Sequence, residues 1–270
     1  MSSIERVALV TGVSSGIGRA TAEAFASAGF RVYGTVRSAG ASLPPGVKPL
    51  QMDVRDAASI EAAVTQVLTE SQRIDILVNN AGGVLSGAIE ETDIEQAQAL
   101  FDVNVFGVAR VTRAVLPAMR AQRSGRILFI SSLLGFLPGP FTGYYAASKH
   151  AIEAFGESLD HEVRPFGIRA LLIEPGFIRT RIGENGVVAA HPIAAYAKVR
   201  ARVDGHVKAA VRDGDAAKIV ASKVLEAATA KSPKLRYPVG KGAAKLALMR
   251  RFMPAGMLDS GLRKEFMLDV

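Results

Sequence analysis

Four apolar residues, Val7-Ala8-Leu9-Val10, run directly into a glycine-rich turn, Thr11-Gly12-Val13-Ser14-Ser15-Gly16-Ile17-Gly18, and then into helix-forming sequence that Gly29 stops. No other stretch limits the chain's folding choices so tightly. A continuous apolar run of this length fits a strand covered on both faces, as in a parallel sheet flanked by helices. Glycines in the turn let the main chain approach a phosphate. The helix that follows offers N–H groups without intrahelical partners at the positive end of its dipole. The spacing is G-x-x-x-G-x-G, not the commoner G-x-G-x-x-G, and alone it also fits a tight strand-to-helix turn with no ligand.

The alternation continues along the chain. Strands are predicted at 31–36, 50–52 after a Pro/Gly-rich loop, 74–78, 126–130, 168–173 and 235–239. Asp56 can cap a helix running to about residue 71. Residues 93–122 read as one long helix or two in tandem, with Asn104 inside and Pro117 as a kink or register adjustment. Pro165 and Gly167 end the helix that carries Tyr145, and another helix spans 215–229. Residues 183–214 read as a polar and Ala-rich insertion. The tail reads as two helical pieces around Pro254.

Strands and helices that alternate without repeats predict an α/β fold, a doubly wound parallel sheet of the Rossmann type with helices on both faces. The expectation is a single domain over residues 1–240, with a helical C-terminal extension, 241–270, packed on it. With 49% hydrophobic and 21% charged residues, 270 residues can build one large core. The chain has no cysteine, so disulfides and thiolate metal sites are excluded. His150, His161, His191 and His206 lack metal-ligand spacing, and no metal is expected. The start has no apolar signal segment and no run approaches the roughly 18 apolar residues of a membrane span, which predicts a cytoplasmic protein.

Charge is uneven. Residues 1–180 carry 16 Lys/Arg against 17 Asp/Glu, whereas residues 181–270 carry 17 against 8. A solvated basic face fits this, and so does an anionic partner. Sparse aromatics argue against nucleic acid. Peripheral membrane contact through the basic tail is the weaker alternative.

Chemistry concentrates in Tyr144-Tyr145-Ala146-Ala147-Ser148-Lys149. Residues four apart share a helix face, so Tyr145, not Tyr144, faces Lys149. A nearby cation is expected to lower a tyrosine pKa, as proton transfer at a carbonyl carbon requires. An ordinary helix with an exposed lysine fits the same six residues. Arg37 ends the second strand, where no Asp or Glu occurs between Glu23 and Asp53. In dinucleotide folds an acidic residue there takes the ribose 2′-hydroxyl and an arginine accommodates a 2′-phosphate, so Arg37 points to NADP(H) over NAD(H). Asn79-Asn80-Ala81-Gly82 stands at the carboxyl end of the fourth strand, where ligands bind in such sheets, though a plain polar turn fits it equally.

In order, Thr11-Gly12-x-x-x-Gly16-x-Gly18, Asp53, Asn79-Asn80-Ala81-Gly82, Asn104, Ser132, Tyr145-x-x-x-Lys149 and Pro175-Gly176 with Thr180 resemble the short-chain dehydrogenase/reductase family over residues 5–240. The separations of 13 residues from Ser132 to Tyr145 and 41 from Asn104 to Tyr145 agree with it. The resemblance implies a catalytic tetrad. Tyr145 would pass a proton to or from the substrate oxygen, and Lys149 would lower its pKa and hold the nicotinamide ribose. Ser132 would hydrogen-bond the developing alkoxide, and Asn104 would hold a water leading from Lys149 to solvent. For the cofactor it implies Gly12, Ser14, Ser15, Gly16, Ile17 and Gly18 in the turn, and Asp53 and Val54 at the adenine. Asn80, Ala81 and Gly82 would lie along the adenosine ribose, and Pro175, Gly176, Ile178 and Thr180 toward the nicotinamide carboxamide.

The tail resembles those of members related to hydroxysteroid and retinol dehydrogenases, which implies a hydrophobic ketone or secondary alcohol as substrate. A 3-oxoacyl-thioester reductase is the alternative enzyme, and an NADP-sensing regulator without turnover the alternative of another class. Homodimers or homotetramers are the implied assemblies.

Overall fold

The computed structural model describes residues 5–38, 40–180 and 186–268. Strands β1 (Val7–Val10), β2 (Arg31–Val36), β3 (Val47–Gln51), β4 (Ile76–Asn79), β5 (Gly125–Ile130), β6 (Ile168–Pro175) and β7 (Arg236–Val239) form one sheet. Its order is β7-β6-β5-β4-β1-β2-β3, and every pairing is parallel. The strand order reverses between β1 and β4, which opens a crevice at their carboxyl ends.

Side chains alternate across a strand, so each strand feeds two cores. Val7 and Leu9 of β1 pack with Leu77, Ile127, Phe129 and Leu172 against helices α2 (Ala57–Ser71), α4 (Val108–Gln122) and α5 (Gly143–Val163). On the opposite face Ala8 and Val10 join Val78, Leu128 and Ile173 against α1 (Gly16–Ser27) and α7 (Ala217–Thr229). Each fully buried aliphatic side chain contributes about 1.5–3 kcal/mol. Continuous apolar runs in the strands are thus the signature of a sheet with helices on both sides, as expected from the sequence.

Local chemistry sets several boundaries. The Asp56 carboxylate accepts from the Ala58 N–H at 2.9 Å and caps α2. Buried Asp160 near the end of α5 takes Arg164, Arg169 and the Ala170 N–H, tying the helix to β6. Burial alone would raise that carboxyl, but these donors hold it below the usual range.

The segment expected as one helix or two is α3 (Ile94–Phe101) and α4 joined by a wide π turn, Asp102–Gly107. Helix α4 continues through Pro117. The third strand begins at Val47, three residues before the expected start at Leu50. Of residues 183–214, expected as a polar and Ala-rich insertion, 183–185 lie outside the described residues and Ala197–Arg212 forms a helix, α6. Val199, Val203, Val207 and Val211 repeat every four residues, and Val203 is buried. That stripe is a helical signal, diluted by the basic and small residues between its members.

The tail forms α8 (Ala243–Phe252) and α9 (Ala255–Glu265), separated at Pro254 as expected. Leu258 and Phe266 are buried, and the His206 ring of α6 meets Phe266 at 5.2 Å. Among the described residues no helix is long and apolar enough to cross a membrane.

Candidate active site

Four connections at the carboxyl ends of β1, β4, β5 and β6 converge on the crevice. After β1, Gly12 has φ +71°, a conformation that side chains other than glycine resist. Gly18 is required for another reason. A Cβ there would lie 2.3 Å from both the Asn80 Nδ2 and the Gly12 carbonyl oxygen. Helix α1 can therefore start this close to the turn only without a side chain at Gly18. Ser15 stands at its N-cap in extended conformation with no side-chain hydrogen bond to the first turn, which also has no acidic residue. Those orphan N–H groups, facing a turn cleared by glycine, fit a diphosphate. Ile17 packs on the core beside them.

The turn is held by its neighbours. Asn80 Nδ2 donates to the carbonyls of Thr11 and Gly12 at 2.8 and 3.0 Å. Thr11 Oγ1 accepts from the N–H groups of Asn80 and Ala81, both at 2.9 Å, and Thr35 Oγ1 accepts from the Gly12 N–H at 3.1 Å. Asn80 is thus first a brace for the turn. Thr35 is a member of the site that the motifs do not mark, because a strand threonine carries no local sign of a partner on the neighbouring strand.

From the other side, Thr180 approaches the turn, its side-chain carbons 3.5 Å from where a Gly16 Cβ would stand. Pro175 ends β6, Gly176 donates its N–H to the Val239 carbonyl at 2.9 Å, and Ile178 is buried. At the far end of the crevice Arg37 is exposed and makes no ion pair among the described residues. Asp53 is differently placed. The guanidinium of Arg55 forks onto its carboxylate, and Arg37 adds a weaker pull, so its pKa falls to about 2. Val54 turns its side chain into the core against Gly107, so only its main chain can face a ligand.

Asn104 lies in the π turn, 1% exposed. Its Oδ1 accepts from the Gly83 N–H at 2.8 Å, and its Nδ2 donates to the Gly83 carbonyl at 3.0 Å and to Ser148 Oγ at 3.1 Å. Ser148 Oγ donates in turn to the Tyr145 carbonyl at 2.7 Å. Both amide hydrogens are therefore spent on protein, and Asn104 locks the loop after β4 to the first turns of α5. A side chain with two donors and an acceptor explains an asparagine at a buried helical position. Gly83 and Ser148 are further members of the site that the motifs did not mark.

Ser132 follows β5 and caps the short turn Leu133–Gly135, its Oγ accepting from the Leu134 N–H at 3.1 Å. The same hydroxyl is near enough to the Tyr145 phenol to pull its pKa down. Lys149, 8% exposed, donates to the Ile130 carbonyl at 2.9 Å, and its Nζ lies 5.7 Å from the Tyr145 ring centroid. Helical geometry thus selects Tyr145 as the partner of Lys149, as expected.

The expected lowering of the phenol is overturned in this geometry. Burial pushes Tyr145 up to about 12, and the Ser132 hydroxyl only partly opposes it. The ammonium reaches the ring and a backbone carbonyl rather than the phenolic oxygen. Burial in turn brings Lys149 down to about 8, opposed by the charge of Glu153. Glu153 lies one turn further along α5. Arg236 reaches both Glu153 and Glu174, the latter at 2.8 Å, and Glu157 at 3.0 Å. Burial and the nearby Glu174 raise Glu153 to about 7 against the pull of Arg236. Glu153 was legible in principle, since it stands four residues after Lys149.

Comparisons with known proteins agree on one family. The family model described as short chain dehydrogenase matches residues 6–187. A 3-ketodihydrosphingosine reductase of Bacteroides thetaiotaomicron is 40% identical over 180 residues, covering 67% of this chain and 66% of that protein. An NADPH-dependent 3-dehydrocapnine reductase of Ornithobacterium rhinotracheale is 33% identical over 96% of this chain and 97% of its own length. A crystal structure of a short-chain dehydrogenase from Streptomyces avermitilis matches with a TM-score of 0.82 at 37% identity, covering 99% of this chain and 96% of that one. A short chain dehydrogenase/reductase from Burkholderia phymatum in complex with NAD matches at 0.76 and 29%, over 93% of this chain and 95% of its own.

Proposed function

The chain belongs to the short-chain dehydrogenase family, and from that premise we propose that it interconverts a hydrophobic ketone and its secondary alcohol with NADP(H). It is an oxidoreductase of this family. The observation that carries the finer reading is the Tyr145 ring 5.7 Å from the ammonium of buried Lys149, with Ser132 after the neighbouring strand, at the strand ends where the glycine turn opens.

When bound, the nicotinamide supplies or accepts the hydride. The remaining work falls to side chains. Because its pKa stands near 12, Tyr145 holds its proton at neutral pH and can deliver it from the phenolic oxygen to a substrate carbonyl oxygen. Ser132 would donate a hydrogen bond to the same oxygen as charge develops there. Cationic Lys149 would then stabilise the phenolate that remains. Asn104, through Ser148, would keep α5 in register with the loop after β4. Gly12, Ser14, Ser15, Gly16, Ile17 and Gly18 would hold the diphosphate, and Asp53, Asn80, Ala81 and Gly82 would line the adenosine side. Pro175, Gly176, Ile178 and Thr180 would flank the carboxamide.

Arg37 supports NADP(H), since it is exposed at the end of β2 while Asp53 is already engaged by Arg55. A hydrophobic substrate is supported by the apolar loop after Ser132, with Leu133, Leu134, Phe136 and Leu137. The names of two relatives, reductases of 3-ketodihydrosphingosine and 3-dehydrocapnine, support a ketone. The same reading places the protein in the cytoplasm as a homo-oligomer.

A panel of hydrophobic ketones with NADPH, followed by cofactor oxidation, tests the reaction; failure of every ketone with both NADPH and NADH would contradict it. For the cofactor, Arg37→Asp should weaken NADPH binding about ten- to a hundredfold while leaving NADH within a few-fold, the worth of a charge-assisted contact to phosphate. An unchanged ratio would remove Arg37 from that role.

A further inference from the structure

Helix α8 has two unlike faces. On the inner side Ala243 is buried and Arg250 Nε donates to the Phe136 carbonyl at 2.9 Å, which commits that face to the loop after Ser132. Ala244, Leu248 and Phe252 are spaced four apart and share the outer side. Leu248 is 61% exposed and Phe252 69% exposed. Lys245 and Arg251 flank this stripe, with the Arg251 guanidinium 5.4 Å from the Phe252 ring centroid, and Lys241 stands one turn before it. The helix contains no acidic residue. In the first turn of α9, Met257 adds another apolar side chain, 62% exposed.

We propose that the outer stripe of α8 docks on an anionic lipid surface. Leucine and phenylalanine side chains left in water forgo hydrophobic stabilisation that burial in the acyl boundary returns. Lysine and arginine at the edges of such a stripe can lay their stems along it and hold their charges among headgroups. A second copy is the poorer occupant. A two-fold contact through this face would set Lys245 and Arg251 against their own duplicates with no acidic residue of the helix between them. The excess of 17 basic over 8 acidic residues in positions 181–270 would draw this part of the chain toward a negative surface from a distance. The docking stands independently of the proposed reaction. If both hold, α8 brings the loop after Ser132 beside the lipid, where an apolar ketone would enter.

Sedimentation of the full chain with vesicles provides the test. Binding to phosphatidylcholine mixed with phosphatidylglycerol is expected, with much weaker binding to phosphatidylcholine alone. Lys245→Gln and Arg251→Gln should each weaken the partition about fivefold, and Leu248→Ser with Phe252→Ser about tenfold or more. Turnover of a water-soluble ketone by these variants should be unchanged, which separates loss of docking from loss of folding. Equal binding by the Leu248→Ser, Phe252→Ser chain would overturn the proposal. So would a mass in solution that falls with these substitutions while the vesicles pellet no protein, since a second copy would then cover the stripe.

Discussion

Lys149 stands between two influences of opposite sign. Burial among α5, β5 and the turn after it disfavours the ammonium and brings its pKa to about 8, while the carboxylate of Glu153, one turn along the helix, favours it. Glu153 is itself set by burial and by groups on two further elements, Glu174 on β6 and Arg236 on β7. If, as proposed, cationic Lys149 supports the phenolate that Tyr145 becomes in the reduction direction, kcat/KM should fall as pH rises through about 8. Glu153→Gln removes the influence that raises Lys149, and the alkaline limb should move to lower pH while the plateau below it changes little. A limb that stays in place, or moves upward, would show that Lys149 does not set it. Tyr145 adds no limb in the neutral range, because its raised pKa keeps the phenol protonated well above it.

At the scale of elements, the site depends on how closely α1 can start to β1 and to the end of β4. Asn80 spends its amide on the carbonyls of Thr11 and Gly12, and Gly18 leaves no side chain between them. Gly18→Ala should cost about 1–3 kcal/mol in denaturant unfolding, as overpacking does, and weaken NADPH about tenfold by moving the turn. A variant with wild-type stability and affinity would mean that α1 is free to shift. The same comparison shows what sequence can carry. Strands buried on both faces announce themselves as unbroken apolar runs, and Asp56 as a cap, because both signals are local. Helix α6 is not announced by the sequence because its valine stripe is narrow, and neither is the π turn at Asn104, whose side-chain hydrogen bonds go to Gly83 and Ser148, far away in the chain.

Across the whole molecule, the crevice is assembled from strand ends spread over most of the chain, and motif order was enough to bring Ser132, Tyr145 and Lys149 together. Charge and burial were not legible in that order. A lysine four residues on predicts a lowered Tyr145 pKa, yet in the folded chain burial raises it and the ammonium turns to the Ile130 carbonyl. A phenol that keeps its proton at neutral pH follows from that burial rather than from the motif alone. Tyr145 is proposed to hold the proton and the glycine turn the cofactor, two tasks that one substitution can separate. In Tyr145→Phe, calorimetric titration should find NADPH affinity within about threefold of wild type, while kcat/KM for ketone reduction falls about 10²–10⁴-fold, the usual worth of a general acid. NADPH bound as before with turnover within about threefold of wild type would contradict it.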